Sequence, residues 1–312
     1  MGKSTLERKR ARLWRALVSL LLVAIGLWLM ARDWQIFQRS FVAVGHAHFG
    51  WLLVGLLLTV LTFCIAAATY GLLALRSLRY AQTVTVELAA AFANRLLPAG
   101  LGGLGLHGLY LYRRKHTPAQ ATAVVSVNNL LGIAAHLSLL LALICFRPEV
   151  LAQFTTHVSG FHWWYIPAAL ALVLLVLLFP KLRRQLRAFG LNLLGSLRLL
   201  KLQRVGAAAC CALLLTATYT LVLYASAHAV GLRLGVLETF IVFSLGMLVG
   251  TATPTPGGLV GVEAGLFTGF VAYGVSSPAA GAAVLLYRLI TYWLPLFPGL
   301  FALLYARARK LV

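Results

Sequence analysis

Three stretches of this chain, Phe49–Leu75, Pro118–Phe146 and Val205–Val230, contain no charged side chain. Each exceeds the ~20 residues that a helix needs to cross the hydrocarbon core of a bilayer. Lipid offers no hydrogen bonds, so a segment there must satisfy its own backbone, and an α-helix does so internally. The fold class follows: an all-α polytopic membrane protein. The chain is 61% hydrophobic with mean hydropathy +0.91, and 11% of its residues are charged, against roughly 25% in soluble domains. No soluble stretch is long enough to fold separately, so residues 1–312 read as a single transmembrane domain.

Six full spans are expected. They are Leu13–Ala31, Phe49–Leu75, Pro118–Phe146, a span running to Phe179 after the aromatic cluster Phe161–Tyr165, Val205–Val230 and Pro278–Ala306. The first follows a basic N-terminus and lacks a small-x-small cleavage site, so it reads as an uncleaved signal anchor; Gly2 is no myristoylation signal ahead of a span. Arg32–His48 reads as an external loop, and residues 181–204 as a basic amphipathic segment on the cytoplasmic face.

Two apolar regions are interrupted where a span should be continuous. Asn94–His107 reads NRLLPAGLGGLGLH and Thr251–Gly265 reads TATPTPGGLVGVEAG. Irregular backbone at membrane depth survives only where it is buried in protein or lines a cavity. The arms flanking the first break, Gln82–Leu97 and Leu101–Tyr112, would reach ~24 and ~18 Å as helices, short of the ~30 Å core. They predict a re-entrant hairpin entering from the cytoplasm, with two short tilted spans as the alternative. Leu237–Val275 predicts a second hairpin entering from outside.

Charge orients this plan. Of 27 Lys and Arg residues, 21 fall on one side; Arg32, Arg39, Arg147 and Arg233 fall on the other, and Arg95 and Arg288 fall within the membrane. The positive-inside rule makes the rich side cytoplasmic, with both termini there. The net charge of +21 is therefore an attraction for anionic lipid rather than for nucleic acid, because it flanks spans. Cys64, Cys145, Cys210 and Cys211 lie in apolar runs without metal-ligand spacing and read as small buried hydrophobes.

The two halves, approximately 13–146 and 161–306, resemble each other in order. Glu87–Phe92 matches Glu238–Phe243, Pro98 with Gly102 and Gly103 matches Pro254 with Gly257 and Gly258, and Thr117–Val124 matches Ser277–Val284, at offsets of 151, 156 (counted at the prolines) and 160. Opposite orientation makes this an inverted repeat, an architecture of secondary transporters; chance likeness of Gly/Pro-rich apolar sequence is the competing explanation. In such hairpins the second arm starts inside the membrane, where free N–H groups and the positive dipole end favour an anion. Gly257, Gly261, Gly265 and Gly269 form a four-residue ladder that reads as a helix-packing face.

Arg288 lies ten residues into the last span, ~15 Å deep; its repeat counterpart is Asn128, followed by Asn129. Ionisable groups at such depth are paired or functional. Two readings stand: a structural Glu263–Arg288 ion pair, or a site in which Arg95 and Arg288 hold an anionic head group with Glu263 as gate or proton-coupled partner. The candidate substrate-binding residues are Arg95, Pro98, Gly102, Gly103, His107, Asn128, Pro254, Pro256, Gly257, Gly258, Glu263 and Arg288. His107 aligns with Glu263 across the repeat, while Glu87 and Glu238 read as first-turn residues of helices. No nucleophile elbow, metal-ligand cluster or phosphate loop occurs, and the chain has six acidic residues. No catalytic residue, metal or cofactor is expected, and an intramembrane lipid-modifying enzyme is the least favoured reading.

Pro254–Gly265 (PTPGGLVGVEAG), then Ser277-Pro278, then Tyr287–Trp293 (YRLITYW), resembles the C-terminal signature of the lysylphosphatidylglycerol synthase transmembrane family. These are the flippase-like domains also found in the bacterial multiple peptide resistance factor. Pro256, Gly257, Gly258, Glu263 and Arg288 match its pattern. The resemblance implies a lipid translocase-like protein of the bacterial inner membrane. The first half departs from it. Where that family often has a Gly-Glu pair with a following Arg, and an Arg and Asp in the next span, this chain has Gly105-Leu-His107 and Asn128-Asn129. The resistance factor's soluble aminoacyl-transferase domain has no counterpart, so lysyl transfer is not expected.

The function expected is movement of an anionic phospholipid or polyprenyl-phosphate-linked lipid between leaflets. The alternative is a non-transporting lipid-binding partner of an envelope or lipid biosynthesis enzyme. A homo-oligomer, or a complex with such an enzyme, is compatible with both.

Overall fold

The structure, a computed structural model, describes residues 34–97, 100–150, 201–253, 255 and 257–312. The expected spans Leu13–Ala31 and the one ending at Phe179, nearly all of the basic segment 181–204, and Pro98, Pro254 and Pro256 lie outside the described residues. Those residues form ten α-helices and no strand. In chain order they are α1 (Trp34–Gly45), α2 (Phe49–Leu73), α3 (Tyr80–Leu96), α4 (Leu101–Arg113), α5 (Pro118–Phe146), α6 (Leu202–Ala229), α7 (Val236–Ala252), α8 (Gly261–Ala272), α9 (Ser277–Arg288) and α10 (Leu296–Ala308). A π-helical turn, Leu289–Trp293, joins α9 to α10.

Four of these segments are long and apolar enough to cross a membrane: α2, α5, α6 and the continuous run Ser277–Ala308. Their bounds lie within three residues of the sequence expectation. Helix α5 begins where expected because Thr117 forms a capping box with Gln120 ahead of Pro118, satisfying donors that the first turn leaves free. One expectation is corrected: the stretch assigned to an external loop contains α1, which packs along α9. Gln35, Gln38 and Arg39 interrupt its apolar run, so it carries no span-length signal.

Helices α2 and α6 form the central antiparallel pair. The His48 N–H donates to the Ala229 carbonyl at one end, and Arg204 Nη1 donates to the Ala74 carbonyl at the other. Buried Thr59, Thr62, Thr69, Thr216, Thr220 and Ser226 each donate to a carbonyl three or four residues earlier. Their polarity is thus absorbed within the helix. The cysteines are corrected too: Cys145 and Cys210 are exposed and Cys64 and Cys211 half-buried, because they lie on outward faces that only lipid would cover.

The short helices pair as two antiparallel hairpins, α3/α4 and α7/α8. The first opens at the end where Arg76, Arg79, Arg113, Arg114, Lys115, Arg204, Arg307, Arg309 and Lys310 cluster. There Leu78, Val86 and Tyr110 pack with Ala306 and Leu311, and the Arg76 N–H donates to His116 Nε2. The second opens at the opposite end, where Tyr273 donates to the Val150 carbonyl and Ile241 packs with Leu143. The last span is divided between them: α9 lies against α8, and α10 against α3.

Candidate functional site

The second hairpin is closed by glycine. A methyl group on Gly265 would sit 2.7 Å from the Leu245 carbonyl oxygen, on Gly261 2.1 Å from Thr253 Oγ1, and on Gly269 3.1 Å from the Val242 Cα. These three glycines of the ladder therefore serve helix packing, as their spacing predicts. Gly257 does something else. It has φ +62°, and an added Cβ would meet the Tyr292 ring at 2.5 Å, so only glycine allows the tip to lie on that ring. Gly258 and Val260 also have positive φ, +66° and +72°. For a β-branched valine that conformation is strained by roughly 1–3 kcal/mol.

Around this tip the last span carries its polar residues. Arg288 Nε donates to Glu263 Oε1 at 2.6 Å, and Nη2 donates to the Gly257 carbonyl at 3.4 Å. Glu263 stands in the first turn of α8, where the helix dipole favours negative charge. The anion at this helix start is thus the protein's own carboxylate. Its Oε1 is engaged, whereas Oε2 is buried without a partner.

Arg95 arrives from the end of α3. Its Nη1 donates to the Ala91 carbonyl at 2.5 Å and its Nη2 to the Thr291 carbonyl at 2.6 Å. The Thr291 acceptor has a covalent cause. The residue four positions later is Pro295, which has no N–H to complete a helical bond. Both guanidinium groups lie over the Tyr292 ring, 5.0 Å away for Arg95 and 4.4 Å for Arg288, in cation–π contact. Two cations and one carboxylate thus share the space between the hairpin tips, and Arg95 Nε has no partner.

The first hairpin closes differently. An added Cβ on Gly102 would meet the Ala93 carbonyl oxygen at 2.2 Å. The Gly103 N–H donates to Asn94 Oδ1 at 2.5 Å, so a side chain from the first arm caps the second arm's start. Deeper in, His107 Nδ1 lies 2.8 Å from the Gly103 carbonyl oxygen and Nε2 lies 3.0 Å from Glu87 Oε1. Tyr70 of α2 stacks on the His107 ring, 4.1 Å between centroids and 2° between planes, and lies beside Asn128 of α5. Tyr219 of α6 is within electrostatic reach of both Glu87 and Arg95.

The candidate residues thus divide. Arg95, Gly257, Glu263 and Arg288 meet at Tyr292, with Gly258 next along the strained tip. Gly102 and Gly103 serve hairpin closure, and His107 and Asn128 belong to a second polar cluster. Asn129 is exposed and donates to the Val125 carbonyl. Glu87 is corrected: it lies eight residues into α3 and is the partner of His107, whereas Glu238 does stand in the first turn of α7. Sequence reasoning missed Tyr292, Asn94, Tyr70 and Tyr219. Tyr292 had a signal, since it follows Arg288 by four residues on one helix face. A separate cavity of about 390 Å³ at the basic end is lined by Arg79, Gln82, Arg114, Tyr305, Arg309 and Leu311. Among the described residues no cluster of His, Cys, Asp or Glu could hold a metal.

These features define a polytopic helical membrane protein with a charged interior between two broken helical hairpins. The chain belongs to the lysylphosphatidylglycerol synthase transmembrane-region family, whose model matches residues 14–299. A comparison with functionally characterised proteins gives no significant match.

Proposed function

We propose that the protein moves an anionic phospholipid or a polyprenyl-phosphate-linked lipid between the leaflets of a bacterial inner membrane, without catalysing a covalent step. The observation that carries this reading is the charge at the site: Arg95 and Arg288 share the Tyr292 ring, and Glu263 neutralises one of them. A guanidinium at membrane depth without a counter-ion marks the place of an anion. The Glu263 side chain is 31% exposed and that of Arg288 10%, so movement of the carboxylate outward would open Arg288 to an incoming phosphate. Acyl chains would stay in the bilayer.

Further support is architectural. The hairpins open at opposite ends, as the members of an inverted repeat with two re-entrant elements would, and their tips converge on the last span. The cluster of Lys and Arg at one end supports reading that end as the cytoplasmic one.

Purified protein in vesicles tests this with labelled phosphatidylglycerol, cardiolipin and polyprenyl phosphate in separate arms. At least one should cross faster than in empty vesicles. Arg95→Gln breaks no ion pair, so it should fold and yet flip that lipid roughly tenfold slower or worse, about 1.4 kcal/mol. No transfer in any arm defeats the proposal. Binding without transfer supports the lipid-holding partner instead.

A further inference from the structure

The Glu87–His107 pair has no place in holding an anion, because its carboxylate would repel one. We propose that this pair is a proton-binding site coupled to the anion site, so that a proton and an anionic head group are taken up together. The coupling rests on the anion-site reading; the proton site itself does not.

Hydrogen-bond accounting defines the proton site. The Gly103 carbonyl can only accept, so the hydrogen on His107 sits at Nδ1. Nε2 faces a carboxylate oxygen at 3.0 Å, and that contact needs one more proton between the two atoms. Imidazolium with carboxylate, or imidazole with carboxylic acid, both satisfy it. With this proton the pair is neutral overall. Without it the pair carries one negative charge and sets a lone pair on Nε2 against Oε1. The side chains are 7% and 11% exposed, so water screens little of that charge. Because His107 is on α4 and Glu87 on α3, losing the proton also loosens one link between the hairpin arms.

His116, just beyond the same hairpin, provides the contrast. Its Nδ1 lies 3.1 Å from the Leu111 carbonyl, and its Nε2 accepts from the Arg76 N–H. A neutral ring satisfies both contacts, and no second proton is called for.

The groups facing the pair carry the coupling. Tyr70 of α2 stacks on His107, and Asn128 of α5 lies beyond Tyr70. Tyr219 of α6 is within electrostatic reach of both Glu87 and Arg95. Helix α10 brings apolar residues to α3, Ala302 and Leu303. Arg95 is eight residues along α3 from Glu87, ~12 Å in rise. A negative charge at Glu87 therefore opposes an anion at Arg95, and the proton removes that opposition. At that distance, with partial screening, the effect is roughly tenfold in anion affinity. By linkage, anion binding must draw in the proton to the same degree.

The test has two readouts on protein in nanodiscs of neutral phosphatidylcholine. Histidine ¹⁵N spectra, with His107→Gln for assignment, follow the ring between about pH 5 and pH 9, across the ordinary histidine range. His107 should keep Nδ1–H and change at Nε2 in wild type, and Glu87→Gln should move or abolish the change. A ring that does not change overturns the proton site, even if both variants fail to fold. Calorimetric titration with short-chain phosphatidylglycerol, in buffers of different ionisation heat, counts protons taken up per anion. Uptake should occur in wild type and vanish in Glu87→Gln and His107→Gln. Binding should be about tenfold tighter at the low end of the range. Binding without proton uptake and with pH-independent affinity overturns the coupling. No binding at all overturns the coupling together with the anion-site reading, and leaves the ¹⁵N result to decide the proton site alone.

Discussion

The two hairpins solve the same steric problem with different chemistry. In α7/α8 the contact runs along the whole second arm, Gly261, Gly265 and Gly269 lying against α7 backbone or side chains, and polar contacts are left to the tip. In α3/α4 close packing is confined to Gly102 and Gly103, and the arms are joined by Asn94 and by Glu87–His107. A hairpin held by van der Waals contact is insensitive to ionisation. One held partly by a proton-bearing pair is not. Likeness of sequence around two breaks therefore does not mean likeness of function, and the ionisable residues tell them apart.

The largest break in this comparison should come from Arg288→Met. It leaves Glu263, a half-buried carboxylate whose Oε2 already lacks a partner, without its cation, which costs about 3 kcal/mol. The double variant Arg288→Met with Glu263→Gln should recover most of that. Thermal melting in detergent reads both, and equal loss in single and double variants would mean that the pair is not the second hairpin's anchor.

Next come the glycines. Gly265→Ala and Gly102→Ala drive a methyl into a carbonyl oxygen, 2.7 and 2.2 Å away, and should cost about 1–3 kcal/mol. Gly105 and Gly108 in α4 have nothing within 4 Å of an added Cβ. Alanine there should stabilise by up to about 1 kcal/mol through helix propensity. Melts of all four variants compare the arms, and a costly Gly108→Ala would show that the first hairpin is glycine-packed along its length too.

The smallest effect is a pH dependence at the basic end. Burial holds the His116 pKa below its ordinary value, so the unfolded chain binds the proton more readily than the folded one. The neutral ring's contribution is then complete above about pH 6.5 and declines as pH falls below it. His116→Asn should flatten the melting temperature against pH in that window, and an unchanged slope would rule the residue out.

Much of the fold was legible because span length and Gly/Pro breaks are properties of residue type. The expected Pro118–Phe146 coincides with α5, and both hairpins fall where the apolar runs break. Arg288 and Glu263 were legible as a pair because charges at depth need partners. Glu87 was misread because its role depends on where α3 begins, and the helix starts a full two turns earlier, at Tyr80. Tyr292 and Asn94 escaped for another reason: an aromatic ring or an amide in an apolar sequence does not announce what lies opposite it. The π turn is a matter of hydrogen-bond register, for which Pro295 is a marker only in hindsight.

That turn has a mechanical meaning. The last span is one continuous rod in sequence but two in packing, with α9 attached to the second hairpin and α10 to the first. The joint falls at Leu289–Trp293, where the ladder is already irregular and where the Arg95 contact to the Thr291 carbonyl crosses it. Displacement of one hairpin relative to the other would bend the rod there, where Pro295 offers the Thr291 carbonyl no N–H. The same five residues carry Tyr292, so flexure of the joint and the grip of the two arginines on their shared ring cannot vary independently.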